Sequence, residues 1–210
     1  MLDRHLHPRI KPLLHQCVRV LDKPGITPDG LTLVGFAIGV LALPFLALGW
    51  YGAALVAIVA NRLLDGLDGA LARRRGLTDA GGFLDIALDF LFYALVPFGF
   101  MLADPAANAL AGGWLLFAFM GTGSSFLAFA ALAAKHQIDN PGYAHKSFYY
   151  LGGLTEGTET ILLFVLGCLF PAWFAWMAWI FGALCWLTTF NRVWGGYMTL
   201  KNLQRHKETD

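Results

Sequence analysis

Long runs of apolar residues alternate with short polar segments along this chain. Leu31–Trp50 and Gly112–Ala134 contain no charged side chain. The run Ile161–Phe190 is free of charge over 30 residues, whereas roughly 20 residues suffice to cross a bilayer once. Gly167–Pro171 predicts a turn within this run, which therefore contains parts of two spans.

The pattern predicts an all-α polytopic membrane protein with six transmembrane helices, preceded by an amphipathic interfacial helix. One domain covers residues 1–210, with the interfacial helix in residues 1–25 and a six-helix bundle in residues 31–200. Residues 1–25 place apolar side chains at helical spacing and basic ones on the other face, as is typical of a helix in the membrane interface. The predicted spans are Leu31–Leu48, Trp50–Arg73, Gly82–Leu102, Gly112–Ala134, Tyr149–Phe170 and Ala172–Leu200.

Composition supports the membrane assignment. Hydrophobic residues make up 57% of the 210 residues and charged residues 14%, which is too little charge to cover a soluble domain of this size. The net charge of +1 gives no indication of a nucleic-acid partner. The three cysteines fit no spacing typical of a metal site or a disulfide framework.

The basic residues predict an orientation. We assign the lysines and arginines to the segments before span one, between spans two and three, between spans four and five, and after span six. The opposite connections, near Gly49, Asp104–Ala111 and Cys168–Pro171, contain none. The positive-inside rule then places both termini in the cytoplasm. The basic set is Arg4, Arg9, Lys11, Arg19, Lys23, Arg73, Arg74, Arg75, Lys135, Lys146, Arg192, Lys201, Arg205 and Lys207.

Four aspartates interrupt the apolar pattern where spans two and three meet. Asp65 and Asp68 are three residues apart, and Asp85 and Asp89 are four apart, so each pair lies on one helix face. An acid in a membrane segment costs roughly 2.5–3.5 kcal/mol on insertion scales unless something partners it. A divalent cation is the natural partner of clustered carboxylates.

We expect spans two and three to be antiparallel neighbours, so that the four acids converge. Four carboxylates can hold two Mg²⁺ or Mn²⁺ ions and leave room for phosphate oxygens. No His or Cys joins the cluster, which argues against zinc. Arg73 beside it is suited to binding a phosphate with two hydrogen bonds. Small residues predict close backbone approach here, between packed spans or beside a ligand: Gly66, Gly69, Gly81 and Gly82.

Other interpretations of the same residues stay open. The acids could line an ion or proton pathway of a non-catalytic transporter. A calcium site is a further possibility, although the EF-hand order of acids and glycine is missing. Arg73, Arg74 and Arg75 could serve membrane topology alone.

The spacing Asp65-x2-Asp68-Gly69-x2-Ala72-Arg73-x7-Gly81-x3-Asp85-x3-Asp89 resembles the signature of the CDP-alcohol phosphotransferase family. The predicted interfacial helix, six spans and cytoplasmic site agree with that resemblance, as does a likeness to bacterial inner-membrane members. The resemblance implies that Asp65, Asp68 and Asp85 bind two divalent cations, Mg or Mn. It also implies that Asp89 completes the metal site and acts as general base, and that Gly69 and Arg73 contact the CDP part of the donor.

Two further segments are assigned to substrate. Pro28-Asp29-Gly30-Leu31-Thr32 resembles a Pro-Asn-x-Leu-Thr element of the family, which adds Asp29 and Thr32 to the donor-binding residues. Asp29 stands where the family has Asn, and it could instead serve only as the N-cap of span one. Glu156, Glu159 and Lys146 are candidates for an acceptor pocket at the mouth of span five. The alternative is that these acids pair with Lys146 or Arg192 and fix helix packing.

The resemblance implies an enzyme of phospholipid biosynthesis that transfers a phosphatidyl group from CDP-diacylglycerol to an alcohol and releases CMP. It further implies a homodimer in the bacterial inner membrane. Acids and threonines near span five favour a neutral polyol or a cationic amino alcohol over a phosphorylated acceptor. An alternative within the family is a CDP-amino alcohol donor with diacylglycerol as acceptor. A transporter, the other class, should line a polar route through the whole bilayer, and spans four and six offer few polar residues in their outer halves.

Overall fold

The computed structural model describes residues 18, 22–23, 25–136 and 154–209. All regular structure in these residues is helical, which confirms the all-α prediction. A short 3₁₀ helix, Pro171–Trp173, precedes the last α-helix. The α-helices are α1 Pro28–Val40, α2 Ala42–Ala47, α3 Tyr51–Arg75, α4 Asp79–Ala103, α5 Pro105–Lys135, α6 Gly157–Leu169 and α7 Phe174–Thr209.

Within the part of the chain that the structure describes, four helical stretches are long and apolar enough to cross a membrane: Pro28–Ala47, Asp79–Ala103, Pro105–Lys135 and Pro171–Leu203. Helix α6 is apolar but shorter, at 13 residues, and α3 carries the acids and several arginines. Large apolar side chains face outward, and Leu110 is 81% exposed and Met120 71%. Such a surface is stable against lipid and unfavourable against water. The predicted count of six spans stays a prediction.

Two boundaries differ from the prediction for local reasons. The first span is interrupted at Leu41. The backbone nitrogen of Pro44 has no hydrogen to donate, and the proline ring clashes with the carbonyl four residues before it. The predicted connection Asp104–Ala111 is wrong, since only Asp104 separates α4 from α5. Its Oδ1 accepts a hydrogen bond from the Ala107 amide at 3.1 Å, and Pro105 is preorganised for the first turn of α5.

The fifth predicted span begins later than expected. Leu154 and Thr155 form a bend, and α6 starts at Gly157 with Glu156 as its N-cap. The Glu156 amide donates to Glu159 Oε2 at 3.1 Å, as part of a capping box in which the side chains of both acids take part. The predicted start at Tyr149 lies outside the described residues. The predicted turn before α7 is confirmed, because α6 ends at Leu169 and the chain turns there.

Helix α3 has one inward face that begins apolar and ends acidic. Ala54 and Ile58 are buried in the core, and Asn61, Asp65 and Asp68 continue that face at steps of three or four residues. This spacing keeps all five side chains on one side of the helix. The packing of the apolar half therefore aims the acids inward.

Helix α4 repeats this arrangement in the opposite order. Phe92, Val96 and Phe100 are fully buried, and Asp85 and Asp89 precede them on the same face at steps of three or four. The two acidic ends meet at one end of the bundle because the chain reverses between Arg75 and Asp79. Burial of the aromatic residues thus sets the direction of the two carboxylates.

Aromatic contacts fix the rotation of α4 about its axis. Phe92 meets Phe164 of α6 edge to face with ring centroids 6.3 Å apart. Phe100 stacks on Phe174 at the start of α7 with centroids 4.0 Å apart. Each such pair adds about 0.5–1.5 kcal/mol beyond the burial of its area.

Helix α1 packs against both α3 and α4, whereas direct contacts between α3 and α4 are sparse. The two helices are antiparallel and three of their acids converge, as predicted, but they pack against α1 more than against each other. Two glycines of α1 permit its close approach: a Cβ at Gly35 would lie 3.1 Å from Leu64 Cβ. A Cβ at Gly39 would lie 2.9 Å from both Asn61 Nδ2 and Phe92 Cδ2. The acids of α3 and α4 consequently face a cleft that α1 also lines.

Candidate metal and substrate site

Asp65 and Asp68 on α3 and Asp85 on α4 converge in this cleft. One carboxylate oxygen from each lies within 4.8 Å of the other two. Oxygen ligands stand about 2.0–2.6 Å from a hard divalent cation, so two ligands of one ion are at most about 5 Å apart. The three acids therefore have the spacing of a shared cation site.

Asp68 is the most buried of these acids, with 4% of its surface exposed. Its Oδ2 atom is buried and has no hydrogen-bond partner among the described residues. A buried carboxylate oxygen without a partner is unfavourable, and a cation would remove that cost. The described lining of the cleft offers oxygen ligands and no His or Cys, which fits Mg²⁺ or Mn²⁺ better than zinc.

Asp89 lines the same cleft but has a partner within the protein. Arg62 Nη2 donates to Asp89 Oδ1 at 2.8 Å, and Arg62 Nη1 lies 3.6 Å from Asp65 Oδ2. Three of the four acids thus lie within reach of a common cation, whereas Asp89 forms the shorter of the two contacts with Arg62.

Sequence analysis missed Arg62, and the assignment of the basic residues to polar connections is wrong for it. Arg62 lies inside α3, one turn before Asp65. An ionisable residue within a predicted span is a functional candidate by default, and this signal could have found it. Its neighbour Asn61 was also missed, although it is 3% exposed and lines the cleft.

The Pro28–Thr32 element places its two candidate residues differently. Thr32 lines the cleft with the acids, and its hydroxyl donates to the Pro28 carbonyl at 3.1 Å. The N-cap of α1 is Thr27, whose hydroxyl accepts from the Gly30 amide at 3.0 Å. The interpretation of Asp29 as that N-cap is therefore wrong. The Asp29 carboxylate instead approaches Gly81, where a Cβ would lie 3.0 Å from Oδ1.

Arg73 lies back along its own helix over Gly69. A Cβ at Gly69 would lie 3.3 Å from Arg73 Nη1, so the missing side chain leaves space for the guanidinium group. The Arg73 side chain is exposed.

Arg74 and Arg75 contact the segment before α1. Arg74 Nε lies 2.7 Å from Asp22 Oδ2, and Arg75 Nη2 lies 2.7 Å from Asp22 Oδ1. Arg75 also donates to the carbonyls of Lys23 and Ile26. The hydrogen bond from Arg75 lowers the pKa of Asp22 below its ordinary value. These contacts hold the segment before α1 against the end of α3.

The predicted interfacial helix, residues 1–25, lies mostly outside the described residues. Val18 is helical and 1% exposed, and it packs with Ala70 and Leu71 of α3. The part of this segment that the structure describes therefore lies beside the helix that carries Asp65 and Asp68.

The acceptor-pocket candidates lie at the start of α6, except for Lys146, which is outside the described residues. Glu156 and Glu159 form the capping box of α6, and α6 packs against α3. A Cβ at Gly157 would lie 3.2 Å from the Tyr93 hydroxyl on α4. Tyr93 comes one turn after Asp89, so the start of α6 is close to the helix that carries this acid.

Comparison with known proteins identifies relatives of this chain. The chain is 92% identical over 205 residues to Inner membrane protein YnjF of Escherichia coli strain K12, covering 98% of this chain and all of that protein. It is 39% identical over 98 residues to archaetidylinositol phosphate synthase of Pyrococcus horikoshii, covering 46% of this chain and 52% of that one.

Two crystal structures of Mycobacterium tuberculosis phosphatidylinositol phosphate synthase have the same fold. The complex with manganese and citrate has a TM-score of 0.68 at 22% identity and covers 89% of this chain and 88% of that chain. The structure with CDP-DAG bound has a TM-score of 0.61 at 23% identity and covers 89% and 92%.

The sequence model of one family, CDP-alcohol phosphatidyltransferase, matches residues 25–191. The matched region contains the converging acids and every helix that lines their cleft. The chain therefore belongs to the CDP-alcohol phosphatidyltransferase family.

Proposed function

We propose that the protein is a metal-dependent phosphatidyltransferase that moves a phosphatidyl group from CDP-diacylglycerol to an alcohol and releases CMP. The observation that carries this proposal is the convergence of Asp65, Asp68 and Asp85 within 4.8 Å. These acids occupy the positions of the family signature on two separate helices, and Asp68 keeps a buried oxygen without a described partner.

Divalent cations at this site, Mg or Mn, would neutralise charge on the pyrophosphate as CMP leaves. Asp65, Asp68 and Asp85 would hold them, and Asp89 would complete the site. Asp89 would also accept the proton of the acceptor hydroxyl, as general base. The CDP part would lie against Gly69, Arg73, Asp29 and Thr32, of which Thr32 shares the cleft with the acids.

The similar proteins support the donor and the metal. The Mycobacterium tuberculosis enzyme was crystallised with manganese and, separately, with CDP-DAG. Its name and that of the Pyrococcus horikoshii relative indicate products that carry inositol phosphate. The acids near α6 of this chain instead favour a neutral polyol or a cationic amino alcohol, so a test of acceptors must include all three kinds.

The membrane arrangement is part of the proposal. Six spans in the bacterial inner membrane would place both termini and the acids on the cytoplasmic side. Arg73, Arg74 and Arg75 end α3 and Lys135 ends α5, as expected for helices that return to the cytoplasm. The name of the Escherichia coli relative supports the inner membrane. A homodimer is expected by the same family likeness.

The deciding experiment uses purified full-length protein, radiolabelled CDP-diacylglycerol, Mn²⁺ or Mg²⁺, and a panel of acceptors. The panel contains inositol phosphate, neutral polyols and amino alcohols. We expect metal-dependent CMP release that is lost in Asp65→Asn and in Asp89→Asn. Asp104→Asn is the matched control, because it lies between α4 and α5, at the end of α4 remote from Asp85, and asparagine caps helices as well as aspartate.

Unchanged turnover in both site variants would refute the assignment of these residues. Activity with a CDP-amino alcohol and diacylglycerol, but none with CDP-diacylglycerol, would instead establish the exchanged substrates. Ion flux in liposomes without CMP release would establish a transporter.

A further inference from the structure

Arg62 is held on several sides by the protein. Its Nε donates to Asn61 Oδ1 at 2.7 Å, and Asn61 Nδ2 in turn donates to the Gly35 carbonyl of α1 at 2.9 Å. The guanidinium carbon lies 4.6 Å from the centre of the Phe92 ring and 5.6 Å from that of Tyr93. Only 15% of the side chain is exposed. Arg62 therefore presents its charge in one set direction.

That direction is toward Asp89, at 2.8 Å. The other three acids have no comparably short ion pair among the described residues; the nearest is the 3.6 Å contact of Arg62 with Asp65. One permanent positive charge thus stands at the Asp89 side of a cluster of four carboxylates. A fixed positive charge and a divalent cation compete for the same carboxylate and repel each other.

We infer that Arg62 holds Asp89 and makes the binding of a second divalent cation depend on substrate. This inference rests on the proposed metal site. Asp65, Asp68 and Asp85 bind one cation without help. Asp89 binds a second cation only after a pyrophosphate enters the cleft. The pyrophosphate oxygens then give Arg62 another anion to pair with, and they give the second cation further ligands.

The Arg62–Asp89 contact suits such an exchange. The side chain of Asp89 is 28% exposed, so an incoming phosphate can reach the Arg62–Asp89 contact from the cleft. The contacts of Arg62 with Asn61 and the aromatic rings do not involve Asp89. Arg62 therefore keeps its position when Asp89 leaves, and its guanidinium group is then free to bind a phosphate oxygen.

The test counts Mn²⁺ ions on the full-length protein by the loss of the free-ion electron paramagnetic resonance signal. We expect one tightly bound Mn²⁺ per chain without substrate and two with CDP-diacylglycerol. In Arg62→Met the second ion should bind without substrate, with its dissociation constant lowered about tenfold or more. Arg62→Lys keeps the charge and should bind a single ion, as the wild type does.

Two further variants separate this role from a general loss of structure. Arg62→Met combined with Asp89→Asn should return to one ion, because the ligand of the second ion is then removed. Arg192→Met is the matched control: Arg192 is 7% exposed and its Nη1 donates to the Thr122 carbonyl at 3.2 Å. Loss of that buried arginine should leave the Mn²⁺ count unchanged.

The outcomes distinguish this inference from the proposed function. Wild-type protein that binds no Mn²⁺ under any condition would refute the metal site itself. Two tightly bound ions in the wild type without substrate, or an unchanged single ion in a folded Arg62→Met variant, would refute the role of Arg62 alone. If Arg62→Met does not fold, equal ion counts in the wild type with and without CDP-diacylglycerol refute the inference.

Discussion

Asp68→Asn should stabilise the metal-free protein and remove most of the stabilisation that metal gives. Asparagine keeps the shape of the side chain and removes its charge. Without a cation, the buried Asp68 carboxylate faces two other acids within 4.8 Å and has an oxygen without a described partner. With a cation, the same carboxylate is a ligand. The substitution therefore acts in opposite directions in the two states.

The size of the first effect follows from the geometry. Two unit charges 4.8 Å apart repel each other by about 3.5 kcal/mol at an effective dielectric constant near 20 and by about 0.9 kcal/mol in water. Asp68 has two such neighbours, Asp65 and Asp85, and both are half-buried. Since solvent reaches both, we expect a stabilisation near the lower bound of about 2 kcal/mol, which corresponds to a rise in Tm of about 4–8 °C.

The second effect follows from ligand binding. A cation present at about 100 times its dissociation constant stabilises the wild type by about 2.7 kcal/mol. The variant lacks one of three charged ligands and should gain much less from the same concentration. The variant is expected to be more stable than the wild type in EDTA, and this difference in stability should vanish or reverse in Mn²⁺.

Thermal unfolding in detergent measures both effects. Cys168 and Cys185 are buried, so a thiol-reactive fluorogenic dye reports their exposure as the protein unfolds. Midpoints are compared in EDTA and in saturating Mn²⁺, with Asp104→Asn as the control that should behave as wild type in both. A lower midpoint of Asp68→Asn in EDTA would refute the repulsion among the acids, and an equal Mn²⁺ shift in variant and wild type would show that Asp68 is no metal ligand.

Three further results are expected. Gly39→Ala should destabilise the bundle by about 1–3 kcal/mol in the same unfolding assay because of overpacking, whereas Gly52→Ala, with nothing within 4 Å of its Cβ, should not. Glu159→Ala should cost about 1 kcal/mol by loss of the capping box, and Glu159→Gln should restore it; equal stability would refute the capping role. Arg75 lowers the pKa of Asp22, so their contact is intact at neutral pH and is lost as the pH falls below 3.8 through the lowered value. Amide exchange of Asp22, Lys23, Gly25 and Ile26, corrected for intrinsic rates, should then rise in the wild type, and Asp22→Asn should show no such pH-dependent step.

Much of the site could be predicted from the sequence because its spacing is local. A step of three or four residues places Asp65 beside Asp68 on any helix, and likewise Asp85 beside Asp89. Their position next to apolar stretches indicated that they must be partnered. The convergence of three of them is confirmed, whereas the metal, its number of ions and the role of each residue stay proposals.

The missing parts of the site depend on contacts between segments distant in sequence. Arg62 is 27 residues from Asp89, and nothing in its own segment indicates that the two meet. Thr27, and not Asp29, caps α1 because its backbone is extended where the helix begins, and several neighbouring residues could have taken that place. Gly69 leaves space for Arg73, and Gly81 leaves space for Asp29. Neither glycine serves a direct packing of α3 on α4.

The sequence by itself determined which segments are helical, which faces of them are apolar, and where each helix carries its acids, because these properties follow from the periodicity of neighbouring residues. Tertiary structure decided which helix lies beside which. Placing α1 against both α3 and α4 opened the cleft between the acids, and the burial of Phe92 and Phe100 turned α4 so that its carboxylates face that cleft. Such choices follow from the packing of the whole bundle, since shape complementarity between distant side chains is not encoded in any local pattern.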